Sequence, residues 1–189
     1  MPSGAKIFRK KLIEVMSGEN SELTPLFRKL LAELFSEYLS IANRVEKIEE
    51  YISLIFKQSP ICQRLSKIEG VGMITATAVV AAVGDPSAFK NGRQMAAWLG
   101  LVPRQNSSGG KNTLLGISKR GDVYLRTLLI HGARAAVLHV GTKTDRRSEW
   151  IRKKLETRGK NKTCVAVANK NARIIWKLMA SGENYIQAA

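Results

Sequence analysis

Acidic side chains are scarce in this chain, and scarcest where metal chemistry would need them. Its 189 residues hold 15 Asp and Glu against 31 Lys and Arg, a formal net charge of +16. Between residues 60 and 141 the carboxylates are Glu69, Asp85 and Asp122 and no others. Two-metal phosphoryl transfer requires a cluster of carboxylates on one surface, so a self-contained metallonuclease is not expected and no residue is assigned to a metal. His131 and His139 share one helical stretch and neither has a ligand partner nearby in sequence. The two cysteines, Cys62 and Cys164, lack ligand spacing and are expected as buried, reduced thiols. No run approaches the roughly 18 apolar residues of a membrane span, so no membrane partner is expected. The basic N-terminus has no apolar core or small-residue cleavage site of a signal peptide. No convincing polar–apolar alternation occurs, so strands are not expected.

The charge that is present is uneven. Residues 1–59 carry 9 basic and 8 acidic side chains; residues 60–141 carry 10 and 3; residues 142–173 carry 11 and 3. A polyanion, above all nucleic acid, is the partner this imbalance favours. The balanced first third has a different character. After an expected short helix (Ile7 to Met16) and a turn at Ser17-Gly18-Glu19-Asn20, Thr24 and Pro25 form an N-cap and first-turn pair. Phe27, Leu31, Leu34, Tyr38, Ile41, Val45, Ile48, Ile52 and Ile55 then recur at alternating spacings of four and three. That is a heptad seam, which predicts a coiled coil and association with a second chain. Gln58-Ser59-Pro60 ends it.

Beyond Pro60 the pattern is of short helices. Glu69-Gly70-Val71-Gly72 separates a helix ending near Ile68 from an alanine-rich one, Met73 to Val83. Helix, Gly-hydrophobe-Gly, helix is the helix-hairpin-helix pattern, in which amides of Gly70, Val71 and Gly72 at a helix start meet a phosphate. A tight helical corner packed for its own sake fits the same residues. A helix over residues 92–99 follows, with Trp98 on its apolar face, and then a polar loop from Arg104 to Leu115 holding Ser107 and Ser108. Arg104, Lys111, Lys119, Arg120 and Arg126 surround that loop in sequence, with Asp122 as cap of the next helix. A serine nucleophile needs room and cations to stabilise an attacked phosphate, and this loop has both, although Ser-Ser-Gly-Gly is more often only a flexible connection. The expected fold is all-α: a linker (1–22), a long coiled-coil helix (23–59), a compact helical domain with a helix-hairpin-helix-like motif and the serine loop (60–141), and a basic segment with a C-terminal helix (142–189).

The runs LSKIEGVGMITATAVVAAVGDPSAFKNGRQMAAWLGLVPRQNSSGGK and LLGISKRGDVYLRTLLIHGARAAV resemble the C-terminal transposase domain of the insertion-sequence 110/1111/116/902 family, the DEDD-type, Piv-related bacterial transposases and recombinases. The resemblance covers roughly residues 23–185. It implies a cytoplasmic, nucleoid-associated enzyme of two parts. A RuvC-like domain binds magnesium through four acidic residues, and a helical domain beyond a coiled coil supplies a serine that joins covalently to DNA. It also implies a guide RNA and a composite active centre across subunits. The serine position falls at Ser107, with Ser108 the alternative. No RuvC-like counterpart is found here, so the chain is expected to be a C-terminal portion, inactive in transposition alone, with magnesium entering only through that absent domain. The competing expectation is a non-enzymatic dimeric nucleic-acid-binding module.

Overall fold

The computed structural model describes residues 3–17, 23–108, 111–141 and 143–186. The turn expected at Gly18–Asn20 lies outside them. The chain divides into two units, Met1–Tyr51 and Ile52–Ala189. In the first, α1 (Ser3–Ser17) meets the early part of α2 (Pro25–Gln58) through Phe8, whose ring stands edge-on to Tyr38 at 6.0 Å, while the Arg9 guanidinium lies 5.3 Å from the same ring. Thr24 caps α2, its hydroxyl accepting from the Phe27 amide at 3.3 Å. No residue of α2 is buried. Of the seam, Phe27, Leu34, Ile41, Val45, Ile48 and Ile55 are all exposed.

The second unit is built around α8 (Lys160–Ser181), which touches α3 (Pro60–Leu65), α5 (Gly92–Trp98), α6 (Val123–Leu138) and α7 (Arg146–Arg158). Its buried residues are Thr163, Cys164, Val167, Ala168, Asn171, Ala172, Ile175 and Leu178. Their spacing of three and four makes one continuous inward stripe, and the small Ala168 and Ala172 let neighbours close on it. Leu65, Ile68, Val79, Met95, Leu99, Leu101, Leu125, Leu129 and Ile151 fill the rest of the core. α4 (Met73–Val83) contributes only Thr75, Ala76 and Val79 as fully buried side chains. Cys62 and Cys164 are buried and free, and burial pushes the Cys164 thiol up from its ordinary range.

Helix starts follow the polar residues that precede them. Asn91 Oδ1 accepts from the amides of Arg93 and Gln94 at 3.0 and 3.1 Å, and Asp122 Oδ1 from Leu125 at 2.8 Å. Asp145 caps α7 through Arg147 and Ser148. Asp85 accepts from both the amide and the hydroxyl of Ser87 in a single 3-10 turn, and those bonds hold its carboxyl below the usual carboxylate range.

One expectation is corrected here. The segment read as a polar loop is instead an antiparallel two-stranded ribbon, β1 (Pro103–Ser108) and β2 (Lys111–Ile117). Strand alternation is invisible in it because Arg104, Gln105, Asn106, Thr113, Leu114 and Leu115 are exposed. With none of the described ribbon residues buried, the period-two pattern has nothing to enforce it. The architecture otherwise stays helical, as expected.

Candidate nucleic-acid interface

The ribbon grows from the end of α5 and returns toward α6. Ser118 donates to the Val102 carbonyl at 2.8 Å and Lys119 to the Gly100 carbonyl at 3.2 Å. Asn169 Nδ2 on α8 holds the Leu101 carbonyl at 3.1 Å, so the foot of the ribbon is tied into the core. Ser107 pairs with Asn112 and Ser108 with Lys111, at the end of the ladder remote from that foot. The side chains of Ser107, Ser108 and Lys111 lie outside the described set. Arg104 sits on β1 where the register slips between Pro103 and Gln105, and it is exposed. Lys119 and Arg120 are exposed in the connection to α6, Lys119 with a backbone φ of 54°.

Arg126 departs from the expected set of exposed cations. It is 8% exposed, and its Nη1 donates to the Leu99 carbonyl at 3.2 Å and weakly to the Asp122 carbonyl at 3.5 Å. The guanidinium ties the start of α6 to the end of α5, and is spent inside the fold. Arg152 is used similarly, donating to the carbonyls of Gly141 and Lys143.

The Gly70-Val71-Gly72 turn packs elsewhere. Val71 is buried and Gly72 is exposed, and Gly72 is the N-cap of α4. Gly70 has φ 83°, and a Cβ there would lie 2.5 Å from the Gly132 carbonyl oxygen. The turn therefore rests backbone-to-backbone on the middle of α6. From Val123 to Gly132 the helix rises roughly 14 Å at about 1.5 Å per residue. The turn and the Lys119–Arg120 connection, neighbours in the sequence argument, are thus held at separate levels of α6.

Glu69 fixes the turn. Its carboxylate accepts from Lys143 Nζ at 2.7 Å and lies 3.5 Å from Arg147 Nε, and its carbonyl accepts from Asn171 Nδ2 at 3.0 Å. The bond to Glu69 raises the Lys143 ammonium above its ordinary range. Asn171, fully buried, takes Arg147 Nη2 on its own oxygen at 2.7 Å. Replacing Asn171 by Leu keeps the volume but removes both bonds, leaving Arg147 Nη2 and the Glu69 carbonyl only their long 3.4 Å bond to each other. A loss of about 3 kcal/mol is expected, since bonds to charged groups contribute ~1.5–3 kcal/mol and under-satisfied partners add to it. Urea unfolding followed by circular dichroism measures it; a change within about 0.5 kcal/mol, the range of ordinary surface substitutions, would show the network to be dispensable. All three carboxylates of residues 60–141 are thereby committed to structure: two as caps, one to this network.

Among the described residues, no three His, Cys, Asp or Glu side chains come together as a metal site, and no helix is long and apolar enough to cross a membrane.

The chain is similar in sequence to known insertion-sequence transposases. It is 49% identical over 185 residues to the transposase for insertion sequence element IS1111A of Coxiella burnetii, a match covering 98% of this chain and 51% of that protein. A probable family 20 transposase of Pseudomonas aeruginosa is 49% identical over 166 residues, 88% of this chain and 49% of that one. The transposase for insertion sequence element IS1328 of Yersinia enterocolitica is 38% identical over 182 residues, 96% and 54%. The profile of the Transposase IS116/IS110/IS902 family matches residues 62–149, which hold the Gly70 turn, the ribbon and α6. The chain belongs to that transposase family. It spans about half the length of the curated relatives it matches.

Proposed function

We propose that this chain is the serine-bearing, DNA-binding part of an insertion-sequence transposase. The observation that carries the reading is the ribbon: Ser107 and Ser108 stand at its far end, inside the family-matched segment, with Arg104, Lys119 and Arg120 exposed toward its base. Of Gly70, Val71 and Gly72, the exposed Gly72 at the start of α4 supplies a second contact to the DNA backbone, of the kind that positions without reading sequence, while the Val71 amide is bonded to the Ile68 carbonyl at 2.9 Å. In the covalent step a serine oxygen bonds to phosphorus. One phosphorus–oxygen bond to a sugar breaks, and the hydroxyl proton ends on the released sugar oxygen. Cations near the phosphate stabilise the charge that develops.

The described residues do not fit a magnesium site, so no step is routed through the metal here. In this reading magnesium belongs to carboxylates of a RuvC-like domain outside this chain. A guide RNA and a second copy, docked through the α2 seam, complete the assembly. A second reading, a non-enzymatic dimeric nucleic-acid-binding module, is favoured by one observation: Glu69, Asp85 and Asp122 are all occupied structurally.

The two readings separate on a covalent product. The full chain, mixed with the acidic domain of a relative, guide RNA, magnesium and end-labelled DNA, is expected to give a protein–DNA adduct on a denaturing gel. Ser107→Ala should abolish it. An adduct that survives this change but not Ser108→Ala moves the nucleophile to Ser108. Survival in the double variant removes the serine as nucleophile, and no adduct from the unaltered chain leaves the binding module.

A further inference from the structure

Away from the serines, a groove of about 1420 Å³ runs along α8 from the foot of the ribbon, at Pro103 and Ile117, to the C-terminal residues Asn184–Ile186. Small-molecule sites are typically ~300–1,000 Å³ and enclosed, whereas this one is larger and extended, a shape suited to a polymer. Its wall brings together cations from three elements: Arg93 on α5, Arg146, Arg147 and Lys154 on α7, and Lys162, Lys170 and Arg173 on α8. The elements meet closely there, since a Cβ on Gly92 would lie 2.9 Å from the Arg173 Cα. Among the described lining residues the one carboxylate is Glu183, and it is already 3.7 Å from Lys177.

Among the described residues Glu69 is the one carboxylate at ion-pair distance from any of these cations, 3.5 Å from Arg147 Nε, and two details show how little counter-charge they meet. Arg147 is only 6% exposed, yet its Nη1 has no hydrogen-bond partner, and its Nε contact to Glu69 is an ion-pair distance without bonding geometry. Lys170 is half-buried with its ammonium 4.5 Å from the Trp150 ring centroid. Burial first, then Arg147, Arg146 and Arg173, push it below the ordinary lysine range. Like charges at this density repel, and a bound anion relieves the repulsion. The side chains on α8 were not visible as a set in the sequence, because Arg93 and Arg146 reach them only through the fold.

We propose that the α5–α7–α8 groove is a second nucleic-acid site, a track for the phosphodiester backbone of one strand that leads to the foot of the serine ribbon. Arg146, Lys170 and Arg173 would meet successive phosphates, with the buried Arg147 guanidinium adding its charge beneath them. The inference rests on the nucleic-acid reading above and is independent of the serine.

Fluorescence anisotropy of the full chain with labelled 20-nucleotide DNA and RNA strands of one sequence, and with the DNA duplex, tests it across a salt series. Arg146→Gln with Arg173→Gln is expected to weaken binding at least about tenfold. It should also flatten the salt dependence by about two phosphate contacts, a slope change of ~1.4 for a single strand and ~1.8 for a duplex. Whichever strand type shows the larger loss identifies the natural occupant. Lys29→Gln with Lys47→Gln, exposed cations of α2, removes the same net charge elsewhere and should leave the slope unchanged. Lys154→Gln with Lys162→Gln is the second groove variant, should the first unfold. Unaltered affinity and slope in folded groove variants, equal loss in the α2 control, or no binding by the unaltered chain overturns the proposal. Ser107→Ala should leave groove binding intact, so failure of the unaltered chain to form an adduct while groove binding persists counts against the serine and not the groove.

Discussion

Gly132→Ala is expected to lower the stability of the second unit by about 2–4 kcal/mol, although it places a better helix former in the middle of a helix. Propensity alone favours Ala over Gly by ~1 kcal/mol in a helix interior. The packing term is larger and opposite. A Cβ on Gly132 would stand 1.8 Å from the Gly70 carbonyl oxygen and 2.8 Å from its carbon. Both are backbone atoms, so no rotamer can yield, and the α3–α4 turn must retreat. Retreat is costly because the turn is held from behind: Val71 is 3% exposed, and the Glu69 carbonyl is bonded to Asn171 at 3.0 Å. Overpacking costs ~1–3 kcal/mol, and each lost buried hydrogen bond ~1–3 kcal/mol. Their sum exceeds the propensity gain. At ~2–4 °C per kcal/mol for a chain of this size, calorimetry should show the melting temperature falling by roughly 5–15 °C. An unchanged or higher melting temperature would mean that the turn is free to move, and would remove the support for a rigid, preset start of α4.

An isolated glycine inside a helical pattern signals a close approach, and the sequence reading passed over Gly132. What it approaches was not visible, because Gly70 lies on another element. The same division runs through the molecule. The C-terminal helix and the cap Asp122 are local patterns, and local patterns were legible. Arg126 was not, because an arginine one turn into a helix looks exposed until the Leu99 carbonyl is brought to it across the fold. The ribbon sits between these cases. Its strands carry no alternation, yet Gly109-Gly110 between Ser108 and Lys111 is the dipeptide that two-residue hairpin connections favour, and the reading of a plain loop passed over it. The groove was the least legible feature. Its cations come from three helices, and although all but Arg93 belonged to the basic stretch 142–173, nothing in the sequence showed which of them converge. Charge counted along the chain located the basic half, and the fold decided which charges are spent internally, as with Arg126 and Arg152, and which converge.

Ile48→Asp on α2 should dissociate the assembly that the seam predicts. Ile41, Val45, Ile48 and Ile55 are 52%, 49%, 54% and 57% exposed in the single chain, on a helix with no buried residue. Isolated exposed apolar residues are ordinary, but a row at heptad spacing is not, and it gains stability only when a second helix covers it. Burying an isoleucine contributes ~1.5–3 kcal/mol, and a two-fold pairing contains the position twice, so replacing it removes ~3–6 kcal/mol. Placing two carboxylates at the seam adds desolvation and repulsion to that loss. At 1.4 kcal/mol per factor of ten, the dimer dissociation constant should rise by at least about 10²-fold. Sedimentation velocity reads this directly, with unaltered chain dimeric or larger and the Asp variant monomeric at the same micromolar concentration. Glu49→Asp, an exposed change one residue on, should alter nothing. Nucleic-acid binding by each single chain should persist, because the groove cations all lie in the second unit. If the unaltered chain is already monomeric at high micromolar concentration, α2 pairs with no second copy and a composite centre across subunits cannot form through this helix.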